Sequence, residues 1–476
     1  MLSVLLPAAR GEGGRRPDEG CGPHQAFRVL LLALCICIAT PLFAQDNIQQ
    51  NAERLMAAAL NSSHGYETLA YLSDNIGPRL SGSKNAAAAV AWATKRLRSW
   101  GLDAHTEKVM VPHWIRGVES ARVVSHNDQP LVLTTLGGSV ATPAEGFVAD
   151  VVEARSFDEL KMLNVRGKIV FFSGSMDMDL VRAGRSFEAY RKAQEFRTKG
   201  ADQASPHGAL AVVIRSVASD SMRSPHTGSV KYEGKVKKIP AAALAIEDAM
   251  LIHRLLAKGE KVRMHLLLRP RILDDVESAN VVAEIRGSER PDEIVLIGAH
   301  LDSWDLGTGA IDDGGGVAMV METMRLIHQV GPVPRRTIRA VLFMNEENGG
   351  RGGKQYFADH KNEKHIAAIE TDAGSAAPRG FLTTLKGDAL TALEGRMQML
   401  DRVGAAKFDN AEHTGADTTP LIDAGVAGFG LVPDQRHYFD YHHSAADTLD
   451  KIDPHELAQN TAALVALTYV IAEGGL

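Results

Sequence analysis

Five short strings carry most of the chemistry in this chain. Gly298-Ala-His300-Leu-Asp302 is followed by Ile311-Asp312-Asp313-Gly314, Asn345-Glu346-Glu347, Glu370-Thr-Asp372-Ala-Gly374 and His442-His443-Ser444-Ala-Ala-Asp447-Thr448. Each places an imidazole or a carboxylate just past an apolar run with the character of a strand. Those are the ligands zinc prefers, and paired zinc ions need one carboxylate that spans roughly 3.5–4 Å between them. On this reading Asp312 is the bridge, His300 and Asp372 complete one zinc, and Glu347 and His443 complete the other. Each ion keeps a position for a shared water, whose pKa falls towards neutrality and which becomes a bridging hydroxide, the nucleophile of a hydrolase. Glu346 neighbours a ligand but points the opposite way if the segment is extended, which makes it the general base. Asp302, two residues after His300, is placed to accept the second imidazole N–H and fix the tautomer. The Asp312–Asp313 bond is a candidate for a cis peptide.

Taken singly, each residue has a plainer reading. A lone histidine after a strand usually serves packing or the surface, paired glutamates usually open a helix, and Asp-Asp-Gly usually caps one. The ordered set decides for the metal, and its least constrained member is the choice of His443 over His442. His226 either reaches the cleft from a distant segment or is a surface histidine.

The elements that must position these residues follow from periodicity. Apolar residues recur at helical spacing from Asn47 to Leu72 and from Asn85 to Trp100, with Ile76-Gly-Pro-Arg-Leu-Ser-Gly-Ser83 as the turn between. Short β-branched runs such as Gly167-Lys-Ile-Val-Phe-Phe172 and Ala209-Leu-Ala-Val-Val-Ile214 then alternate with loops, so residues 118–270 read as an inserted, mainly β domain. Residues 45–117 and 271–476 make the two parts of the host domain. From Ser278 onward strand and helix alternate, which implies an α/β, doubly wound, mostly parallel sheet with the ligands outside its carboxyl edge.

At 476 residues the chain exceeds a single hydrophobic core, so two domains are expected, and a hydrophobic fraction of 45% suffices for a large core. A net charge of −6 argues against a nucleic-acid or anionic-membrane binder. Residues 1–44 differ from the rest: Arg10, Arg15, Arg16 and Arg28 precede the apolar run from Val29 to Ala39, and Pro41-Leu-Phe-Ala44 resembles a cleavage site. This is the pattern of a secretory signal peptide, and the run is too short to span a bilayer. Cys21, Cys35 and Cys37 all lie in that segment, so the mature chain relies on its core and on metal rather than on disulfides, as a secreted or periplasmic enzyme.

The motifs resemble those of the co-catalytic zinc aminopeptidase family and, within it, the carboxypeptidase Q (plasma glutamate carboxypeptidase) group. The resemblance covers about residues 50–476 and rests on Ile76-Gly-Pro-Arg-Leu-Ser-Gly-Ser83, Ile214-Arg-Ser-Val-Ala-Ser219, Ser224-Pro-His-Thr-Gly228, His300-Leu-Asp-Ser-Trp-Asp305 and His442-His-Ser444 with Asp447-Thr448. It implies a protease-associated insert, a homodimer, and hydrolysis of dipeptides or short peptides with free termini. It carries ligand roles onto His300, Asp312, Glu347, Asp372 and His443, and the base role onto Glu346. It also suggests a tyrosine that stabilises the tetrahedral oxyanion, for which Tyr438 stands as candidate beside the alternative of a packing residue. His413 and Asp417, in Glu412-His-Thr-Gly-Ala-Asp-Thr-Thr-Pro420, look like a substrate-side loop or ordinary loop residues. An aminopeptidase on longer peptides, a non-catalytic binding protein on the same fold and a single-zinc cyclase are the alternative functions.

Overall fold

Four apolar runs in the C-terminal half lie side by side as parallel strands: Arg336–Phe343 beside Arg290–His300, then Lys364–Glu370, then Ala427–Pro433. Their continuous rather than alternating apolar character is that of strands covered on both faces, and every residue of Arg336–Phe343 is buried. This is a computed structural model describing residues 47–220, 222–233 and 236–476; the expected signal segment lies outside the described residues. Antiparallel pairings extend the sheet with Arg271–Ile285 and then Asp103–Ile115 on one side and with Pro378–Thr383 on the other, where Phe408–Asn410 adds in parallel, to eight in all.

Helices cover the sheet. Gly315–Gln329 has 12 of its 15 residues buried, as expected of a helix held between layers. It packs on the strand Arg290–His300 and on the closing helix Pro454–Gly474. That last helix starts where Asp453 accepts hydrogen bonds from the backbone of His455 and Glu456, with proline in its first turn. The apolar periodicity from 47 to 72 divides at 61–63 into two helices, and Lys84–Ser99 follows, capped by Ser83.

A second eight-stranded sheet is built wholly from residues 119–268, in the order Gln129–Leu131, Glu119–Val123, Arg263–Leu268, Phe147–Ala154, Ile169–Phe172, Ala211–Arg215, Ala241–Leu244, Leu133–Thr135. Five helices accompany the strands among the described residues: Phe157–Met162, Met178–Arg182, Ser186–Ala193, Glu195–Ala204 and Ile246–Ala257. The signal was present as buried positions at helical spacing, Ala189, Tyr190 and Ala193, then Arg197, Gly200, Ala201 and Ala204, but their polar neighbours hide it. Backbone from this segment closes on the first sheet's loops. A Cβ at Gly137 would stand 2.0 Å from the Trp304 ring, so only glycine fits there.

The turn Ile76–Ser83 does its work through Arg79, whose side chain is wholly buried. Nε donates to the Leu301 carbonyl at 2.6 Å, one terminal nitrogen to Thr308 at 2.6 Å and the other to Gly309 at 2.9 Å. One guanidinium thus shapes the whole loop that follows His300. Replacing Arg79 with Met leaves the Leu301 and Thr308 carbonyls without their donor in a buried place, at about 1–3 kcal/mol each before relaxation, while Gly309 keeps the Gly314 N–H. Denaturant unfolding of Arg79→Met should show a loss of about 3 kcal/mol or more; a loss below 1 kcal/mol would contradict this role.

Candidate metal centre

The two oxygens of the Asp312 carboxylate face different groups of donors. Oδ1 lies 3.1 Å from His300 Nε2, which is 3.4 Å from Asp372 Oδ1. Oδ2 lies 3.2 Å from His443 Nε2, which is 3.0 Å from Glu347 Oε2. The five candidate ligands are therefore brought together as two clusters sharing one carboxylate. Each arrives from a carboxyl end of the parallel sheet: His300 is the last residue of its strand, and Glu347 and Asp372 closely follow theirs. Asp312 sits in the turn before the buried helix, and the Asp312–Asp313 peptide is cis.

The imidazole tautomers are set by backbone carbonyls, which only accept. His300 Nδ1 donates to the carbonyl of Asp302 at 2.9 Å, leaving Nε2 free to face the acids. The expected partner was the Asp302 carboxylate, but its Oδ1 is 3.9 Å away. That oxygen instead accepts the backbone N–H groups of Asn345 at 2.7 Å and Glu346 at 3.1 Å, so Asp302 positions the glutamates. His443 Nδ1 reaches the Thr227 carbonyl at 3.3 Å, and the His443 carbonyl accepts from the Thr227 N–H at 2.8 Å. The 119–268 segment thus holds one of the candidate ligands.

His442 Nε2 also stands 3.4 Å from Asp312 Oδ2, and the two adjacent rings stack at 3.5 Å between centroids. Two observations favour His443: its Nε2 meets both Asp312 and Glu347, and its other nitrogen has a partner, whereas buried His442 Nδ1 has none.

Glu346 and Glu347 do not lie on an extended segment. Asn345 adopts φ 76°, a left-handed conformation asparagine tolerates, and residues 346–349 form a turn. Glu347 Oε1 accepts the Trp304 N–H at 3.0 Å, while Glu346 is half-buried and lines the same cavity as Asp312, Asp372 and His443.

The electrostatics fit a cation site. Burial first, then repulsion among neighbours, pushes Asp372 up to about 6, Glu346 up to about 8 and Glu347 well above the carboxylate range. So many buried acids in one place are unfavourable unless cations neutralise them. Together with imidazole nitrogens turned towards them, they form a nitrogen–oxygen donor set suited to zinc.

The remaining candidates separate. Tyr438 lines the cavity, stacked on Phe187 at 5.3 Å. His413 does not: it is exposed and paired with Asp423 at 3.1 Å on the surface. Asp417 is buried away from the cavity, where burial and the adjacent Glu370 push its carboxyl well up, because its loop wraps Glu370 rather than facing the cleft. His226 is neither a surface histidine nor a cavity residue; it is 3% exposed, its backbone N–H on Ser216.

Fold and site together define a metallopeptidase, and comparisons with known proteins agree. The profile of peptidase family M28 matches residues 280–468. Carboxypeptidase Q of Mus musculus is 39% identical over 417 residues, covering 86% of each chain, and that of Homo sapiens is 39% identical over 416 residues with the same coverage. A crystal structure of a peptidase M28 precursor from Shewanella amazonensis superposes with TM-score 0.87 at 40% identity, covering 91% of this chain and 98% of that one. A zinc aminopeptidase from Bacillus subtilis shares the fold with TM-score 0.64 at 20% identity, covering 87% of this chain and 96% of that one. The chain belongs to peptidase family M28, as a carboxypeptidase Q-like metallopeptidase.

Residues without an assigned role in the motifs turn out to hold the site. Asp447 accepts the N–H of Ile311 at 2.7 Å and of Asp312 at 3.2 Å. Asp313 accepts from His300 and Gly316, both at 3.1 Å. Both acids lie in the quoted strings, but nothing in spacing alone tells a ligand from the residue that orients it. Asp447→Asn keeps size and removes one of the two acceptors holding the central carboxylate's backbone. It should cost about 10–100-fold in zinc affinity, by competition with a chromophoric chelator, with unchanged circular dichroism; wild-type affinity would count against this role.

Proposed function

We propose that this chain is an exported di-zinc exopeptidase that hydrolyses dipeptides or short peptides. The observation that carries the reading is the Asp312 carboxylate, with one oxygen towards His300 and Asp372 and the other towards His443 and Glu347. These five residues hold the metal. Zinc, when bound, supplies Lewis acidity that polarises the scissile carbonyl and makes water acidic near neutral pH.

Glu346 acts as the base. Its pKa, up to about 8 from burial and from Asp372 and Asp312, falls when cations neutralise those neighbours, so it is poised to take a proton from the attacking water. The same carboxyl then returns that proton to the departing amine nitrogen. Asp302 fixes Glu346 through its backbone, and Tyr438 is placed on the cavity wall to donate to the oxyanion. Phe187 and Tyr190 from the 119–268 segment line the cavity beside these groups and narrow the space left for substrate.

Export rests on the Arg28-to-Ala44 pattern, and no helix among the described residues is long and apolar enough to cross a membrane. The homodimer rests on the resemblance alone.

Glu346→Gln should keep two zinc ions per chain while kcat falls by about two to four orders of magnitude, whereas Glu347→Gln should lose zinc and recover partly in excess metal. Metal analysis alongside dipeptide kinetics separates them. Zinc loss in Glu346→Gln with retention in Glu347→Gln reverses the assignment, and near-normal turnover in Glu346→Gln removes the base.

A further inference from the structure

The cavity lining carries a cation that peptide-bond hydrolysis does not use. Arg197, on the helix Glu195–Ala204, is 6% exposed and lines the cavity with Asp312, Glu347 and His443. Its bonds are long and few. One terminal nitrogen donates to the Thr227 carbonyl at 3.4 Å and the other to Gln194 Oε1 at 3.3 Å, while the buried Nε has no partner among the described residues. Among the described residues no carboxylate forms an ion pair with it, although a buried cation without a counter-ion is costly.

The surroundings hold this guanidinium in place rather than neutralise it. The Tyr190 ring lies 5.2 Å from Cζ, which suits a cation. Gly228, at φ +134°, makes the space: a Cβ there would stand 2.5 Å from Arg197 Cζ. Lys231, exposed, adds a second positive charge to the same lining. Two cations therefore share one cavity with the acids and the candidate zinc ligands, Arg197 meeting the same Thr227 carbonyl as His443. The cavity measures about 280 Å³, at the lower edge of the roughly 300–1,000 Å³ of small-molecule sites.

We propose that Arg197 binds the free α-carboxylate of the residue on the leaving side of the scissile bond, so that the enzyme reads the C-terminus of very short peptides. The planar fork of arginine matches a carboxylate with two parallel hydrogen bonds, and the unpartnered donors are available to make them. This deepens the exopeptidase reading above and rests on it. The direction of attack follows: a C-terminally blocked substrate loses its anchor, whatever its N-terminal residue.

The test compares a free dipeptide with its C-terminal amide on the zinc-loaded full chain. Wild type should favour the free acid strongly. Arg197→Met should lower kcat/KM for the acid on the order of 100-fold, mainly through KM, and bring the acid-to-amide ratio towards one. Arg197→Lys should restore part of that ratio, and Gly228→Ala, which presses a methyl onto the guanidinium, should reduce it even if Arg197→Met folds poorly. Equal hydrolysis of acid and amide by wild type overturns the proposal, as does a loss in Arg197→Met that is proportional for both substrates, the mark of a structural role. Failure of wild type with two bound zinc ions to cleave either substrate removes the exopeptidase reading and this proposal together.

Discussion

Like charges buried together are the constraint on which the rest of the structure depends. Asp312, Asp313, Glu347 and Asp302 are each under a tenth exposed, and Asp372 and Glu346 adjoin them. In a low-dielectric interior such a cluster repels itself and forces protons onto its members, which is why burial pushes Asp372, Glu346 and Glu347 upward. Divalent cations turn the same cluster from a liability into a source of affinity. The fold supplies the compensation that protein alone can give. Arg79 faces Asp447, Asp302, Asp313 and Glu347 from beneath, and backbone N–H groups of residues 300, 311, 312, 316, 345 and 346 all point at carboxylates.

That arrangement needs two layers of support. The parallel sheet brings strand ends within reach of one another, so residues distant in sequence become neighbours at its carboxyl edge. The 119–268 segment then completes the far side. Thr227 brackets His443, Ser229 Oγ donates to the Glu347 carbonyl at 3.0 Å, and Arg116, just ahead of the segment, bonds Asp305 in the loop after His300. Removing that segment would expose the candidate ligands and unlock one imidazole, so it is part of the candidate site rather than a decoration on it.

The candidate ligands were legible because metal chemistry admits few residue types and the α/β fold puts them at predictable places, just after apolar runs. The central strands and the closing helix were legible for the same reason of periodicity. What escaped was set by three-dimensional neighbours. Asp302 looked like a partner for imidazole, but two backbone N–H groups compete for its oxygen and win. His413 and Asp417 read as one loop facing substrate, yet Asp423 draws the first to the surface and Glu370 the loop around itself. Arg197 gave no sign in sequence, being one basic residue on a polar helix; only its burial without a counter-ion singles it out.

In the proposed site one carboxylate, Asp312, holds both metal positions. The most direct measurement is zinc content per chain in wild type and in Asp312→Ala, by elemental analysis after dialysis against metal-free buffer, with circular dichroism confirming the fold. Wild type should hold two zinc ions and the variant should lose both, since each oxygen serves a different ion. A folded Asp312→Ala that keeps one tightly held zinc, or a wild type that never holds more than one, would contradict it.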